Sequence, residues 1–374
     1  MKQTEKNKFK VTPWEVSGSV DYNKLVKEFG VKLIDDKILK RIEKHTGELH
    51  IFLRRRIFFA HRDLDWILDK FEENEKFFLY TGRGPSGKTH IGHLIPWIFT
   101  KWLQDKFDAE LYFQITNDEK FLVKEEEIEN IKKYTEENLK DIAAIGFDPK
   151  KTFIIRDIED IDILYELAIK ISKHITFSTM KAIFGFKDST NVGLIFFPSI
   201  QAAPCFLPSF LKGKNIPCLI PAAIDQDPYW RGVARYVAPK LNFYKPAQIH
   251  CKFLPGLLGD KMSSSIPDSC IFTTDSPEEV RRKIWKAFTG GRGTLKEQKE
   301  KGGNPDVCIV YKYLYYFFED DDKEIMNIYN RCKSGDIYCG YCKEILTKKV
   351  NEFLKKYREM REKTNVKNYI RSIK

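Results

Sequence analysis

The clearest hydrophobic pattern lies between residues 77 and 116. A short apolar and aromatic run, FFLYT at 77–81, leads into glycines and a proline. Residues 91–107 then place Ile91, Leu94, Ile95, Ile98, Trp102 and Leu103 at helical spacing, and LYFQIT at 111–116 is apolar again. Strand, glycine-rich loop, helix and strand predict a βαβ unit with parallel strands. The pattern returns at PCLIPAAI (217–224), a near-continuous apolar run suited to a central parallel strand. A helix over 228–240 and a strand at AQIHCKF (247–253) follow.

Between the two units, residues 121–190 are charged and largely helical, with a short strand predicted at TFII (152–155). Before them, VTPWEV (11–16) reads as a strand. Ile38, Leu39 and Ile42 mark a helix over 35–47 that Gly47 stops. Beyond about residue 277 the period-two alternation is gone and only helical patterning remains. The predicted fold is α/β, a parallel-sheet nucleotide-binding domain split by a helical insertion and followed by an all-α region. The boundaries are 1–70 for an N-terminal extension packing on the catalytic domain, 71–276 for that domain with its insertion at about 121–200, and 277–374 for the helices.

Composition narrows the class. At 42% hydrophobic and 31% charged residues the chain is globular rather than disordered. No run approaches the roughly 18–20 apolar residues of a membrane span, and the lysine-rich start lacks the apolar core of a secretory signal. The net charge of +11 favours a polyanionic partner such as nucleic acid, though a lysine-rich composition alone gives the same balance. Residues 343–374 carry eleven basic side chains against four acidic ones, which reads either as a solvated helix face or as contact with an RNA backbone.

Eight cysteines are spread from Cys205 to Cys342, which suits a reduced cytosolic protein better than a disulfide scaffold. Cys339 and Cys342 form a CxxC with Cys332 nearby. A zinc knuckle wants a fourth ligand, and the nearest further cysteine is Cys308. The reading is half-buried thiols on a helical hairpin, and no metal ligand is assigned.

Residues 82–89 (GRGPSGKT) fit the phosphate-cradling pattern G-x-x-x-x-G-K-[ST] after a strand and before a helix. Asp225, after the 217–224 strand, could hold magnesium in such an enzyme, so a P-loop NTPase stays open on the loop alone. The continuation points elsewhere. His90, Gly92 and His93 stand in the first helical turn, where glycine leaves room for a base or ribose and imidazoles can donate to phosphate oxygens. Further on, Lys261-Met262-Ser263-Ser264-Ser265 follows Gly256 and Gly259. A lysine beside small hydroxyls suits a mobile loop that closes on phosphates.

With these motifs in order, the chain resembles the class I aminoacyl-tRNA synthetases, and among them the tryptophanyl-tRNA synthetases of eukaryotic and archaeal type. The segments that carry the resemblance are TGRGPSGKTHIGHLIP (81–96), QITNDEK (114–120), FFPSIQAAP (196–204), PAAIDQDPYWR (221–231) and KMSSS (261–265). FLRRRIFFAHRD (52–63) and FFEDDDK (317–323) are also similar. The resemblance implies a Rossmann-type catalytic domain, a helical anticodon-binding domain, a cytoplasmic homodimer, and tryptophan, ATP with its Mg2+ and tRNA(Trp) as partners, with no membrane.

It also implies site roles. His90, His93 and Lys261 act in catalysis. Arg83, Gly84, Gly92, Asp225, Met262 and Ser263–Ser265 join them in binding ATP. Ser264 stands where the family pattern has a second lysine, which leaves Lys261 as the main charge. Tyr80 and Gln114, on adjacent strand ends, are assigned to the indole N–H, a donor that needs acceptors. Glu119, Gln201 and Gln226 are assigned to the α-ammonium group. A tyrosyl-tRNA synthetase is the nearest rival. Its phenol-binding pocket pairs a tyrosine with an aspartate, where this chain has Gln114. Lys88 becomes a bystander, and Arg54–Arg56 read equally as acceptor-end contacts or a solvated triplet.

Overall fold

Seven strands form the central sheet of the computed structural model, which describes residues 10–11, 16–17, 21–123, 126–259, 262 and 266–370. β1 (Lys10–Val11) and β2 (Val16–Ser17) make a separate antiparallel pair. The sheet strands are β3 (Lys32–Leu33), β4 (Phe58–Arg62), β5 (Phe78–Arg83), β6 (Leu111–Ile115), β7 (Thr152–Arg156), β8 (Cys218–Ala223) and β9 (Ala247–Cys251). Their order is β3-β4-β9-β8-β5-β6-β7. β9 through β7 run parallel, and β4 and β3 close one edge antiparallel.

Both faces of the sheet are covered, which is why its central strands read as unbroken apolar runs. Successive side chains point to opposite faces. Leu79, Leu111, Phe113 and Ile115 enter one buried cluster, while Phe78, Tyr80 and Tyr112 enter the other. Gln114, two residues from Tyr112, shares the face of Tyr80. The helix over 91–107 forms with the bounds the periodicity predicts (Ile91–Phe107), and Gly47 caps helix Asp36–Thr46 at φ 78°.

Three differences from the sequence reading have physical causes. The helix expected over 228–240 is broken into an α turn at Asp227–Tyr229, a π turn at Trp230–Ala234, an α turn at Arg235–Val237 and a 3-10 turn at Ala238–Leu241. Its start is pinned by Asp227, fully buried and paired with Arg62 at 2.8 and 3.0 Å, and Pro239 supplies no N–H to carry the α pattern on. The segment before residue 70 does more than pack on the sheet, because β3 and β4 belong to it. Within the Arg54–Arg56 triplet only Arg55 is buried, while Arg54 stays exposed, and all three are engaged in ion pairs. Arg54 and Arg55 pair with Asp322 at 3.1 and 2.7 Å, Arg55 also donates to the Tyr315 carbonyl at 2.6 Å, and Arg56 pairs with Asp36.

No strand follows residue 277 among the described residues. Helices Pro277–Lys286, Ile309–Tyr313, Asp322–Ser334 and Cys339–Lys363 share one core cluster with the sheet, from Leu79 and Phe113 to Leu346 and Leu354. Asp141 knits the join: its carbonyl accepts from the Tyr357 hydroxyl at 2.6 Å, and its carboxylate from Arg361 at 3.1 Å and Thr273 at 3.0 Å. No described helix is long and apolar enough to cross a membrane.

Candidate active site

The chain leaves β5 towards β6 and later returns to β8 on the other side of β5. Such a reversal opens a crevice at the carboxyl ends of the strands, where open α/β sheets bind ligands. The strand ends there bring in Thr81–Arg83, Gln114, Asp157 and the turn Ile224–Gln226.

Tyr80 and Gln114 lie side by side and are fully buried. The Tyr80 hydroxyl is 2.5 Å from Gln114 Oε1 and 2.8 Å from the Gln201 carbonyl, either of which accepts its single proton. The same hydroxyl accepts from Gln201 Nε2 at 3.1 Å. The Gln114 amide is held in one orientation. Its Nε2 donates to both carboxylate oxygens of Asp157, at 2.8 and 3.0 Å, so its Oε1 faces Tyr80. Tyr80, Gln114 and Gln201 thus form one buried hydrogen-bonded cluster beside Trp230, whose ring stands edge-on to Tyr80 at 6.3 Å.

Asp157 is the residue the sequence reading missed. The available signal was its place two residues past the predicted strand TFII (152–155), near a strand end as Gln114 is. Asp157 is buried beside Asp118, and burial followed by mutual repulsion raises its carboxyl well above the usual range. Burial lifts Asp118 to about 6.

Of the residues expected to hold an ammonium group, Glu119 is buried, accepts from Thr116 at 3.0 Å and pairs with Lys120 at 2.8 Å. Gln201 lies on Tyr80. Gln226 and Asp225 sit in the turn after β8, across the crevice from β6.

The elements expected to bind a nucleotide meet at the start of the 91–107 helix. His90 is its N-cap, and the His90 backbone N–H donates to His93 Nδ1 at 3.2 Å, which makes Nε2 the donor of neutral His93. The two rings stack 3.6 Å apart at 23°. The segment is anchored to the chain just past the 261–265 loop: Ile91 N–H donates to the Ile271 carbonyl and Thr273 N–H to the Thr89 carbonyl, both at 3.0 Å. A Cβ at Gly92 would stand 3.1 Å from His90 Nδ1 and 3.2 Å from Met262 Sδ, so buried Met262 brings the loop onto the helix start. Lys261 and Ser263–Ser265 lie outside the described residues.

Arg83, at the end of β5, donates to Asn138 at 2.9 Å. Asn138 in turn donates to the Gly87 carbonyl at 2.9 Å, which ties down the glycine loop. Arg83 Nη2 is shielded and has no hydrogen-bond partner in the structure, and burial lowers the guanidinium to about 10. Gly84 fits where a Cβ would strike Lys120 Cε at 2.1 Å. Lys88 is exposed, with its ammonium 5.9 Å from the Phe272 ring.

Residues 72–355 match the model of the family described as tRNA synthetases class I (W and Y). The chain is 54% identical to a tryptophan–tRNA ligase of Thermococcus onnurineus, over 96% of this chain and 93% of that protein. It is 55% identical to one of Pyrococcus furiosus, over 95% and 91%. Among solved structures it is similar to the tryptophanyl-tRNA synthetase of Plasmodium falciparum, at 42% identity and TM-score 0.89 over 94% of this chain and 98% of that one. That of Encephalitozoon cuniculi bound to tryptophan gives 40% and 0.87, over 95% and 99%. With a Rossmann-type sheet, a helical C-terminal part and these relatives over nearly its whole length, the chain belongs to the class I tRNA synthetases, as a tryptophan–tRNA ligase of the archaeal and eukaryotic type.

Proposed function

We propose that the chain forms tryptophanyl-adenylate from tryptophan and ATP and passes the acyl group to tRNA(Trp), with the roles below. The observation that carries the substrate assignment is the buried Tyr80–Gln114 pair, two acceptor oxygens held side by side while Asp157 binds the amide nitrogen. An indole N–H is donor-only and needs such acceptors. A site built to pair a polar group rejects analogues lacking it by up to about 10⁴–10⁵.

The tryptophan carboxylate attacks the ATP α-phosphate, and pyrophosphate leaves. The carboxylate is already ionised, so the protein's task is positioning and charge stabilisation. Glu119, Gln201 and Gln226 receive the α-ammonium group. Arg83, Gly84, Gly92 and Asp225 seat ATP, and the unpartnered Arg83 Nη2 supports an anion there. His90 and His93 at the helix start, Lys261 and the hydroxyls of Ser263–Ser265 stabilise the phosphates. A ribose hydroxyl at the 3′ end of tRNA then attacks the adenylate carbonyl.

Among the described residues no three His, Cys, Asp or Glu side chains are placed to hold one metal ion. Mg2+ is assigned as an ion carried by the nucleotide, where it would neutralise phosphate charge. The helices beyond residue 277 are assigned to the anticodon arm, and the chain to a cytoplasmic homodimer. Tryptophan-dependent pyrophosphate–ATP exchange, run against tyrosine and phenylalanine, tests the reading. Exchange with tryptophan alone is expected, and exchange driven by tyrosine in its place would overturn it.

A further inference from the structure

Arg62 ends β4, yet its side chain reaches past β9 to the turn that follows β8. Its guanidinium meets four acceptors. Nε and Nη2 donate to the two carboxylate oxygens of Asp227 at 2.8 and 3.0 Å. Nη1 donates to the Gly30 carbonyl at 3.1 Å, and Nη2 also donates to the Phe29 carbonyl. Those two carbonyls end helix Tyr22–Phe29, capped by Gly30 at φ 61°, and the last carbonyls of a helix have no partner within it. One side chain thus joins the N-terminal segment to Asp227, although Arg62 and Asp227 are 165 residues apart.

Asp227 directly follows the turn Ile224–Gln226. Its carboxylate is fully buried, and the Arg62 side chain is only 13% exposed. Two other basic side chains lie near Asp227 without replacing Arg62. His250 Nε2 is 3.7 Å from Oδ1, beyond hydrogen-bond reach, and burial lowers the imidazole to about 4, so the ring is neutral at pH 7. Arg231 Nε stands 3.4 Å from Oδ2 on an exposed side chain, with its guanidinium 5.3 Å from the Phe29 ring. The helix that Arg62 caps also packs on the turn itself. Leu25 and Ile224 are buried in one apolar cluster, with Phe29 against it.

We propose that Arg62 is a positioning residue of the active site: through Asp227 it fixes the turn that carries Asp225 and Gln226, and it ties the placement of that turn to helix Tyr22–Phe29. A bidentate guanidinium fixes a carboxylate in direction as well as distance, whereas a lysine supplies a point charge without the fork. Asp227 is one residue from Gln226 and two from Asp225, so a shift of its backbone passes to both. Breaking the buried pair leaves an uncompensated charge, which draws Asp227 towards Arg231 or solvent. All four acceptors of Arg62 are protein groups, so its effect on substrate is indirect. The inference rests on the roles proposed above for Asp225 with ATP and Gln226 with the α-ammonium group.

The test is pyrophosphate–ATP exchange by the full-length chain, with KM for tryptophan and for ATP resolved from kcat. Arg62→Lys should raise both KM values about tenfold and leave kcat within about threefold of wild type. Asp227→Asn should do the same, and the double variant should be no worse than either single one. A merely structural role would lower the folded fraction, and with it kcat, at unchanged KM; that result overturns the proposal. Should Arg62→Lys not fold, Leu25→Ala decides. Loosening the helix should raise both KM values, and unchanged values would count against the proposal. Gln226→Ala separates the positioning from the reading beneath it. If Gln226→Ala raises KM for tryptophan and Arg62→Lys does not, the turn keeps its role and the positioning by Arg62 falls. If Gln226→Ala leaves KM unchanged, the role of the turn falls and the proposal with it.

Discussion

The sulfur of Met262 lies 3.2 Å from the point where a Cβ on Gly92 would stand, and His90 Nδ1 lies 3.1 Å from it. The two elements proposed to bind the nucleotide, about 170 residues apart in sequence, thus touch at a residue with no side chain. Gly92→Ala should displace the His90 ring or Met262. A misplacement of this kind costs about 100-fold in rate when it disturbs reacting groups. ATP-dependent exchange should fall towards that extent while the melting temperature moves little. Unchanged exchange would show that the contact has slack.

Asp157 is argued to position Gln114 rather than to touch substrate. Asp157→Leu frees the amide to turn its NH2 towards the pocket. The expected result is a loss of about 1–3 kcal/mol, or roughly 10–100-fold, in kcat/KM for tryptophan. The loss should be much smaller for an analogue whose indole N–H is replaced by sulfur. A general structural defect would lower both substrates equally, so the ratio is the deciding measurement.

Asp118 and Asp157 also set a pH dependence. Folding raises Asp118 from 3.8 to about 6 and raises Asp157 as well, so the folded chain holds protons that the unfolded chain has released. The Asp118 contribution to stability is complete below about pH 4 and is lost as pH rises through about 6, and that of Asp157 is likewise lost with rising pH. The melting temperature of Asp157→Asn relative to wild type should therefore increase from pH 4.5 to pH 7. A constant difference would mean that the pair does not share its proton.

Lys88 and His93 separate the two readings of the glycine loop. Lys88 is exposed, and His93 receives the N-cap hydrogen bond. Lys88→Ala should change exchange less than about threefold, whereas His93→Ala should lower it by about 10²-fold, the scale of removing one transition-state donor. A Lys88→Ala chain that binds and turns over no ATP would restore the phosphate-loop reading.

Arg55→Ala removes charged hydrogen bonds to Asp322 and the Tyr315 carbonyl from a buried position. Stability should drop by about 2 kcal/mol in urea titrations. The drop should reappear in Asp322→Ala and fail to add in the double variant if the two residues act as one contact.

The elements of the sheet were legible because both of its faces are buried. Burial on two sides writes itself as unbroken apolar runs at 77–81, 111–115 and 218–223, and the amphipathic 91–107 helix as a 3.6-residue period. The candidate site residues that the fold brings together were legible where they stand at strand ends or in the glycine-rich loop. The broken helix at 227–241 was not, because its start answers to Arg62, distant in sequence. Arg54–Arg56 looked like a basic patch, since nothing local announces Asp322.

The sequence by itself determined the α/β class, the nucleotide-binding motifs and the family, because periodicity and ordered short motifs are local properties. Tertiary structure decided which groups answer one another. Asp157 orients Gln114, and Met262 rests on Gly92. Each pairing depends on where strands and helices are placed across tens or hundreds of residues, and side-chain orientation at a buried hydrogen bond follows from packing rather than from neighbours along the chain.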